Sequence, residues 1–146
     1  MVDRYRKVCD TFFMSDTRYR RNAGCVFSLN YHLVWCSKYR RSVLVGAVAD
    51  DLRAMLLAKA EPLQVALEAM EVMLDHVHLF ISADPTDAPQ RLANQFKGYT
   101  SRLLREKYPH LRSRLPSLWS RSYYIGSVGQ VSEETIRQYI ENQKRS

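Results

Sequence analysis

Residues 26–36, VFSLNYHLVWC, alternate in a way that defines both a strand and its two faces. Phe27, Leu29, Tyr31, Leu33 and Trp35 fall on one side, and Ser28, Asn30 and His32 on the other. Successive side chains of a strand point to opposite faces, so this segment has one face on a core and one polar face. A chain built around such a strand must form a sheet and cover one side of it.

Two helical patterns supply that cover. From Ala47 to Ala60 the apolar residues Val48, Leu52, Met55 and Leu56 recur at helical spacing, and Pro62 stands just beyond the expected end. Pro85 and Pro89 punctuate the entry to a second helix, with Asp87 as its expected N-cap. That helix should run to about Lys107 with a core stripe of Leu92, Phe96, Tyr99 and Leu103, leaving Arg91, Lys97, Arg102 and Arg105 on the other arc. Between the helices, residues 65–72 and 76–83 are β-like runs around a short turn near Asp75, which predicts an antiparallel hairpin. Residues 109–118 read as a loop bounded by Pro109 and Pro116, and residues 119–128 as a strand. A last helix should begin at Ser132. Glu133 and Glu134 lie in its first turn, where the helix dipole favours acids, and Val131 and Ile136 form a hydrophobic staple.

The order is β-α-β-β-α-β-α. It predicts an α+β fold, a ferredoxin-like or RNA-recognition-like antiparallel sheet with helices packed on it. Residues 1–24 form a basic, aromatic-studded lead-in without a clear period, read as a flexible arm or a poorly ordered tail, and residues 25–146 a single domain.

Charge points to the partner. Lys and Arg number 22 against 15 acids, a formal charge of +7. That excess favours a polyanion, nucleic acid before membrane. No stretch is apolar for long enough to span a bilayer, and the N-terminus lacks the apolar core of a secretory signal, so a cytoplasmic protein is expected. The three cysteines, Cys9, Cys25 and Cys36, show no zinc-ribbon spacing and read as reduced and incidental.

His76-Val77-His78 carries the first chemical signal. Positions i and i+2 of a strand share a face, so the two imidazoles project together while Val77 turns to the core. Two neutral imidazoles side by side make half of a divalent-metal site. They also read simply as two polar residues on an exposed strand face, and His32 as their neighbour or as a surface residue. Tyr139 and Gln143 lie four apart and share a helix face. Alone they read equally as a core aromatic and a frayed terminal side chain. Together the four residues suit phosphodiester chemistry, with a metal to offset phosphate charge and a tyrosine to attack phosphorus.

Several segments, in this order and spacing, carry a family resemblance: Tyr31-His32-Leu33-Val34-Trp35 followed by Lys38-Tyr39-Arg40-Arg41; Met70 through Leu79; Phe96-Lys97-Gly98; Leu118-Trp119 through Tyr123-Tyr124; and Tyr139-Ile140-Glu141-Asn142-Gln143. With them the chain resembles the single-tyrosine HUH transposases of the insertion-sequence 200/605 type, over roughly residues 26–146. Leu74 departs from the pattern, which often has Pro before the Asp.

The resemblance implies the HUH endonuclease fold. It implies His76, His78 and Gln143 as ligands of a divalent metal, Mg2+ or Mn2+, and Tyr139 as the nucleophile that forms a 5'-phosphotyrosine. It also implies a single-stranded DNA substrate marked by hairpins, and a homodimer whose sheets join edge to edge and in which the tyrosine helix can complete the partner's active site. Gly126 and Gly129 allow a hinge before that helix, or a plain turn. Lys38, Arg40, Arg41, Lys97 and Arg102 could track phosphates, and Tyr39 could stack on an unpaired base. Two other readings stay open: a domesticated nickase acting on dispersed palindromic repeats, and a non-catalytic RNA-binding module using the strand-one aromatics as a stacking platform.

Overall fold

A computed structural model describes residues 20–21, 24–128, 138 and 141. Its centre is a four-stranded antiparallel sheet. The elements are β1 (Arg20–Arg21), β2 (Val26–Phe27), β3 (Leu29–Cys36), a 3-10 turn (Lys38–Arg40), α1 (Gly46–Leu63), β4 (Ala66–Val72), β5 (His76–Ala83), α2 (Pro89–Lys107), α3 (Pro109–Ser113) and β6 (Tyr124–Val128). The sheet order is β4-β5-β3-β6, and β1 pairs separately with β2. β3 and β5 are therefore central and β4 and β6 lie at the edges, which is the ferredoxin-like arrangement the element order implied.

The alternation does what the sequence demands. Leu33, Trp35, Val77, Leu79 and Ile81 are essentially fully buried and meet Leu52 and Leu56 of α1 and Leu92, Phe96 and Leu104 of α2 in one core. The aromatics of the first long strand thus face the core: Trp35 is 1% exposed and stacks edge-on with Trp119, and Tyr31 is half-buried against the same cluster. They cannot serve as a base-stacking platform, which removes the main support for an RNA-binding module.

A register shift across Glu68 in β4 adjusts the hairpin to this core. Past it, Met70 and Val72 pair with the core residues Leu79 and Val77, while Glu71 falls opposite His78. The extra residue of a bulge changes which side chains face inward, and here it aligns the hairpin's two apolar sets.

Several expected boundaries move. The first helix runs through Pro62 and ends when Gln64 adopts a left-handed conformation (φ 61°), its N–H reaching the Ala60 and Glu61 carbonyls. Pro62 has no N–H to offer the preceding turn, and the helix ends two residues later. Ala88, not Asp87, is the N-cap of α2, with Pro89 in its first turn. Asp87 is occupied instead by the Asp84 N–H and by Arg91. The core stripe of α2 is Leu92, Ala93, Phe96, Thr100 and Leu104. Tyr99 and Leu103 are only half-buried, because the small Ala93 and Thr100 let the helix approach on that side.

Part of the expected 109–118 loop is the short helix α3. The last strand begins at Tyr124 rather than 119, because Trp119 turns inward and its indole N–H donates to Thr100 Oγ1 at 3.1 Å. The strand expected over 26–36 is broken at Ser28 into β2 and β3. At the other end of the chain, the helix expected from Ser132 lies outside the described residues apart from Gln138 and Glu141, which are helical and exposed. No described helix is long and apolar enough to cross a membrane. Cys36 is a free thiol.

Candidate active site on the second sheet face

The face of the sheet opposite α1 and α2 carries the histidines. His76 and His78 project from alternate positions of β5, ring centroids 4.8 Å apart. Across the ladder, Cys36 pairs with His76, Val34 with His78, and His32 with Phe80.

Each imidazole of the pair is held through its Nδ1. His76 Nδ1–H donates to Asp75 Oδ1 at 2.6 Å. The direction is fixed by chemistry, since the Asp75 carboxyl is held below the usual carboxylate range, chiefly by this bond, and a carboxylate only accepts. His78 Nδ1 shares a proton with His32 Nε2 at 3.0 Å. His32 is itself fixed, stacked face to face on Phe80 at 4.6 Å and meeting Tyr124 edge-on at 6.0 Å.

Both His32 and His78 are buried, 7% and 5% exposed. Burial lowers the basicity of both, pulling His78 down to about 4 with help from the neighbouring His76 and His32 charges. His78 is therefore neutral at pH 7, as a metal ligand must be.

This donor set fits half of a divalent-metal site. Two imidazoles share a face, and with both Nδ1 atoms engaged each ring offers Nε2. A ligating histidine commonly has its other nitrogen bonded to a carboxylate or a neutral acceptor, which sets tautomer and ring orientation. Among the described residues no third His, Cys, Asp or Glu completes a cluster around them. The expected third ligand, Gln143, and the expected nucleophile, Tyr139, lie outside the described residues.

The basic loop after β3 is brought to the same place. Ser37 is fully buried; its N–H reaches the Asp75 carbonyl at 2.9 Å and its hydroxyl the Arg41 carbonyl at 2.6 Å. Lys38 N–H reaches the Leu118 carbonyl at 2.8 Å. These bonds hold Tyr39 (φ 57°) and Arg40 (φ 51°) in the left-handed region, which costs roughly 1–2 kcal/mol for each non-glycine residue. Strain of this kind collects at functional sites. Arg40 Nε donates to the second oxygen of Asp75 at 3.2 Å, so one carboxylate links the loop to His76. Tyr39 and Arg41 are exposed, and Lys38 lies over the Tyr39 ring at 5.3 Å.

The basic arc of α2 behaves differently. Arg102 stands on the helical layer, exposed and 3.7 Å from Glu106, away from the histidine face. Lys97 is directed inward: Nζ donates to the carbonyls of Ser120, Arg121 and Ser122 at 2.8, 3.2 and 3.3 Å. Burial lowers its basicity. Its contacts fix the segment before β6 instead of facing open solvent.

Sequence reasoning missed two partners. Asp75 read as a turn residue and His32 as a neighbour at most. The available signals were the acid directly before His-x-His and the polar-face position of His32 on a central strand. Gly126 also changes meaning. It lies inside β6 opposite His32 and beneath the Tyr124 ring, where an added Cβ would collide with the Tyr124 hydroxyl. It is a packing glycine and not a hinge, while Gly129 lies outside the described residues.

Residues 25–143 match the family model described as IS200-like transposase. This chain belongs to that transposase family. The ISDra2 transposase TnpA of Deinococcus radiodurans is 39% identical over 135 residues, 91% of this chain and 96% of the relative. The transposase for insertion sequence element IS200 of Salmonella typhimurium is 27% identical over 119 residues, covering 80% of this chain and 78% of that protein. Among solved structures, a Deinococcus radiodurans protein assigned as a transposase superimposes with a TM-score of 0.71 at 38% identity, covering 85% of this chain and 97% of its own. A REP-associated tyrosine transposase bound to a REP hairpin shares the fold, at a TM-score of 0.58 and 15% identity, over 88% of this chain and 73% of its own. The transposase thus has the HUH fold, and its paired histidines stand on the sheet face that the helices leave uncovered.

Proposed function

We propose that this transposase cuts and rejoins single-stranded DNA at the hairpin-marked ends of a mobile element, with Tyr139 as the nucleophile. The observation that carries the reading is the pair His76 and His78, each with Nδ1 tied to a protein partner and Nε2 left to ligate.

His76, His78 and Gln143 would hold a divalent cation, Mg2+ or Mn2+. Such a cation offsets charge on a non-bridging phosphate oxygen and orients the scissile bond. Ligation through His78 Nε2 puts the ring proton on Nδ1, so His78 donates to His32. Asp75 accepts from His76 and keeps its ring in the matching tautomer. Tyr139 Oη attacks phosphorus as it gives up its proton, and the bond from phosphorus to the 3'-oxygen breaks. The departing 3'-oxygen takes up a proton, and the 5'-phosphate stays on the tyrosine. Attack by another 3'-hydroxyl reverses these bond changes and joins the strands without ATP.

Arg40, Arg41 and Lys38 stand beside the histidines and suit phosphate contact. Arg102 and Lys97 suit it less, one being on the far layer and the other directed at carbonyls. The proposal includes a homodimer, joined through sheet edges, in which the tyrosine helix can serve the partner's site. Family membership and the edge positions of β4 and β6 support that arrangement.

Cleavage of an end-labelled hairpin-containing single strand tests the reading. Cleavage is expected with Mg2+ or Mn2+ and is expected to stop with EDTA. Full activity in EDTA would remove the metal from the proposal.

A further inference from the structure

Among the described Phe, Trp and Tyr residues, Tyr39 and Tyr124 are the two that stand exposed, 66% and 60%, and both line one cleft. Its volume is about 490 Å3, and Val34, Cys36, Arg40 and Ser122 contribute to the same lining. Val34 and Cys36 are the cross-strand partners of His78 and His76. Adjacent strands lie about 5 Å apart, so the cleft opens directly beside the paired histidines.

Both walls are fixed. On one side the bonds from Ser37 and Lys38 hold Tyr39 in its left-handed conformation. On the other, Lys97 holds three successive carbonyls from Ser120 to Ser122. Tyr124 lies over Gly126 and meets the buried His32 edge-on, a position any larger residue at 126 would disturb.

We propose that this cleft is a nucleobase pocket: it takes one unpaired base of the DNA strand next to the scissile phosphate, stacked against Tyr39 and Tyr124. The inference rests on the single-strand cleavage reading and gives that site a means of selecting sequence. Three features favour a base over other ligands. The lining combines aromatic and apolar side chains with three serines and Arg40, and it contains no carboxylate to repel a phosphate. The volume is that of a pocket for one small ligand, too small for duplex. Arg40, 66% exposed even while bonded to Asp75, stands at the cleft to meet the phosphate that follows the base. Stacking accepts any base face, and the rim hydroxyls and carbonyls add preference through the base edge. A base seated here would fix the register of the strand relative to His76 and His78.

The test uses the full chain and a twelve-residue thymidine strand carrying one central 2-aminopurine, whose fluorescence falls on stacking. The wild-type protein is expected to quench it. Tyr39→Ala and Tyr124→Ala are each expected to weaken binding roughly tenfold and lose most of the quenching. Tyr39→Phe and Tyr124→Phe should keep both, since the ring and not the hydroxyl stacks. An abasic site in place of the 2-aminopurine should weaken wild-type binding by a similar factor and leave the alanine variants unchanged. Undiminished quenching in both alanine variants overturns the pocket while leaving the cleavage reading intact. Mn2+ binding measured on Tyr39→Ala separates the two claims, because it should not move. Failure of the wild-type protein to bind a hairpin-containing single strand overturns the cleavage reading as well.

Discussion

Val77, Leu79 and Ile81 are fully buried against the helices, while His76, His78 and Phe80, one residue out of step on the same strand, face the opposite side. The inward set holds the fold together, and the outward set is tuned for chemistry by bonds that the core does not need. A strand has a period of two, so a slip of one residue would exchange the sets and destroy both roles. The core therefore fixes the register that keeps the histidines together. Substitutions on the two faces should separate stability from metal binding.

The largest separation is expected on the outward side. Changing His76 and His78 together to alanine should abolish Mn2+ binding in calorimetry while the far-UV circular dichroism of a folded α+β protein persists. Retained Mn2+ affinity would show that the metal, if any, is held elsewhere.

On the inward side, Leu79→Ala removes a fully buried side chain. It should cost about 2–5 kcal/mol of unfolding free energy in urea. The surviving folded fraction should bind Mn2+ as the parent does. A cost under about 1 kcal/mol would mean that the core is not organised around this strand.

Asp75→Ala removes the acceptor that orients His76 without removing a ligand. Mn2+ affinity should fall roughly 10- to 100-fold. An unchanged affinity would reduce Asp75 to a turn residue.

The smallest effect concerns pH. His78 is held near 4 against an ordinary value of 6.5, and burial lowers His32 as well. Between those values the unfolded chain binds protons that the folded chain refuses. Stability should therefore fall as pH drops from 6.5 towards 4, and be fully present above 6.5. Urea midpoints at pH 7 and pH 5 measure the slope, and His78→Leu should flatten it. A slope of the opposite sign would mean that His78 is charged in the folded state.

Much of this contrast is legible in the chain because it is local. Alternation over 26–36 and 76–83 names the faces, and the hairpin bounds agree with the structure to within a residue. The histidine pair follows from a two-residue spacing. What escapes local pattern is whatever depends on distant partners. Asp87 is a favourable cap by type, yet Asp84 and Arg91 claim it. Lys97 sits on the charged arc of its helix, yet three carbonyls more than twenty residues away draw it inward. Tyr99 and Leu103 are apolar at helical spacing, but the approach of the sheet favours the smaller Ala93 and Thr100. His32 and Asp75 acquire their roles only when β3 and the β4–β5 turn are brought against β5. The nucleophile and third ligand rest on family resemblance and a four-residue spacing, outside the described residues.

The central claim is that the histidine face serves a tyrosine. Incubating the full chain with a labelled hairpin-containing single strand and Mn2+, then resolving it under denaturing conditions, reads the covalent protein–DNA adduct directly. The account predicts an adduct with the parent chain and none with Tyr139→Phe, whose hairpin binding should be unchanged. An adduct that persists in Tyr139→Phe at the parent's level would contradict it.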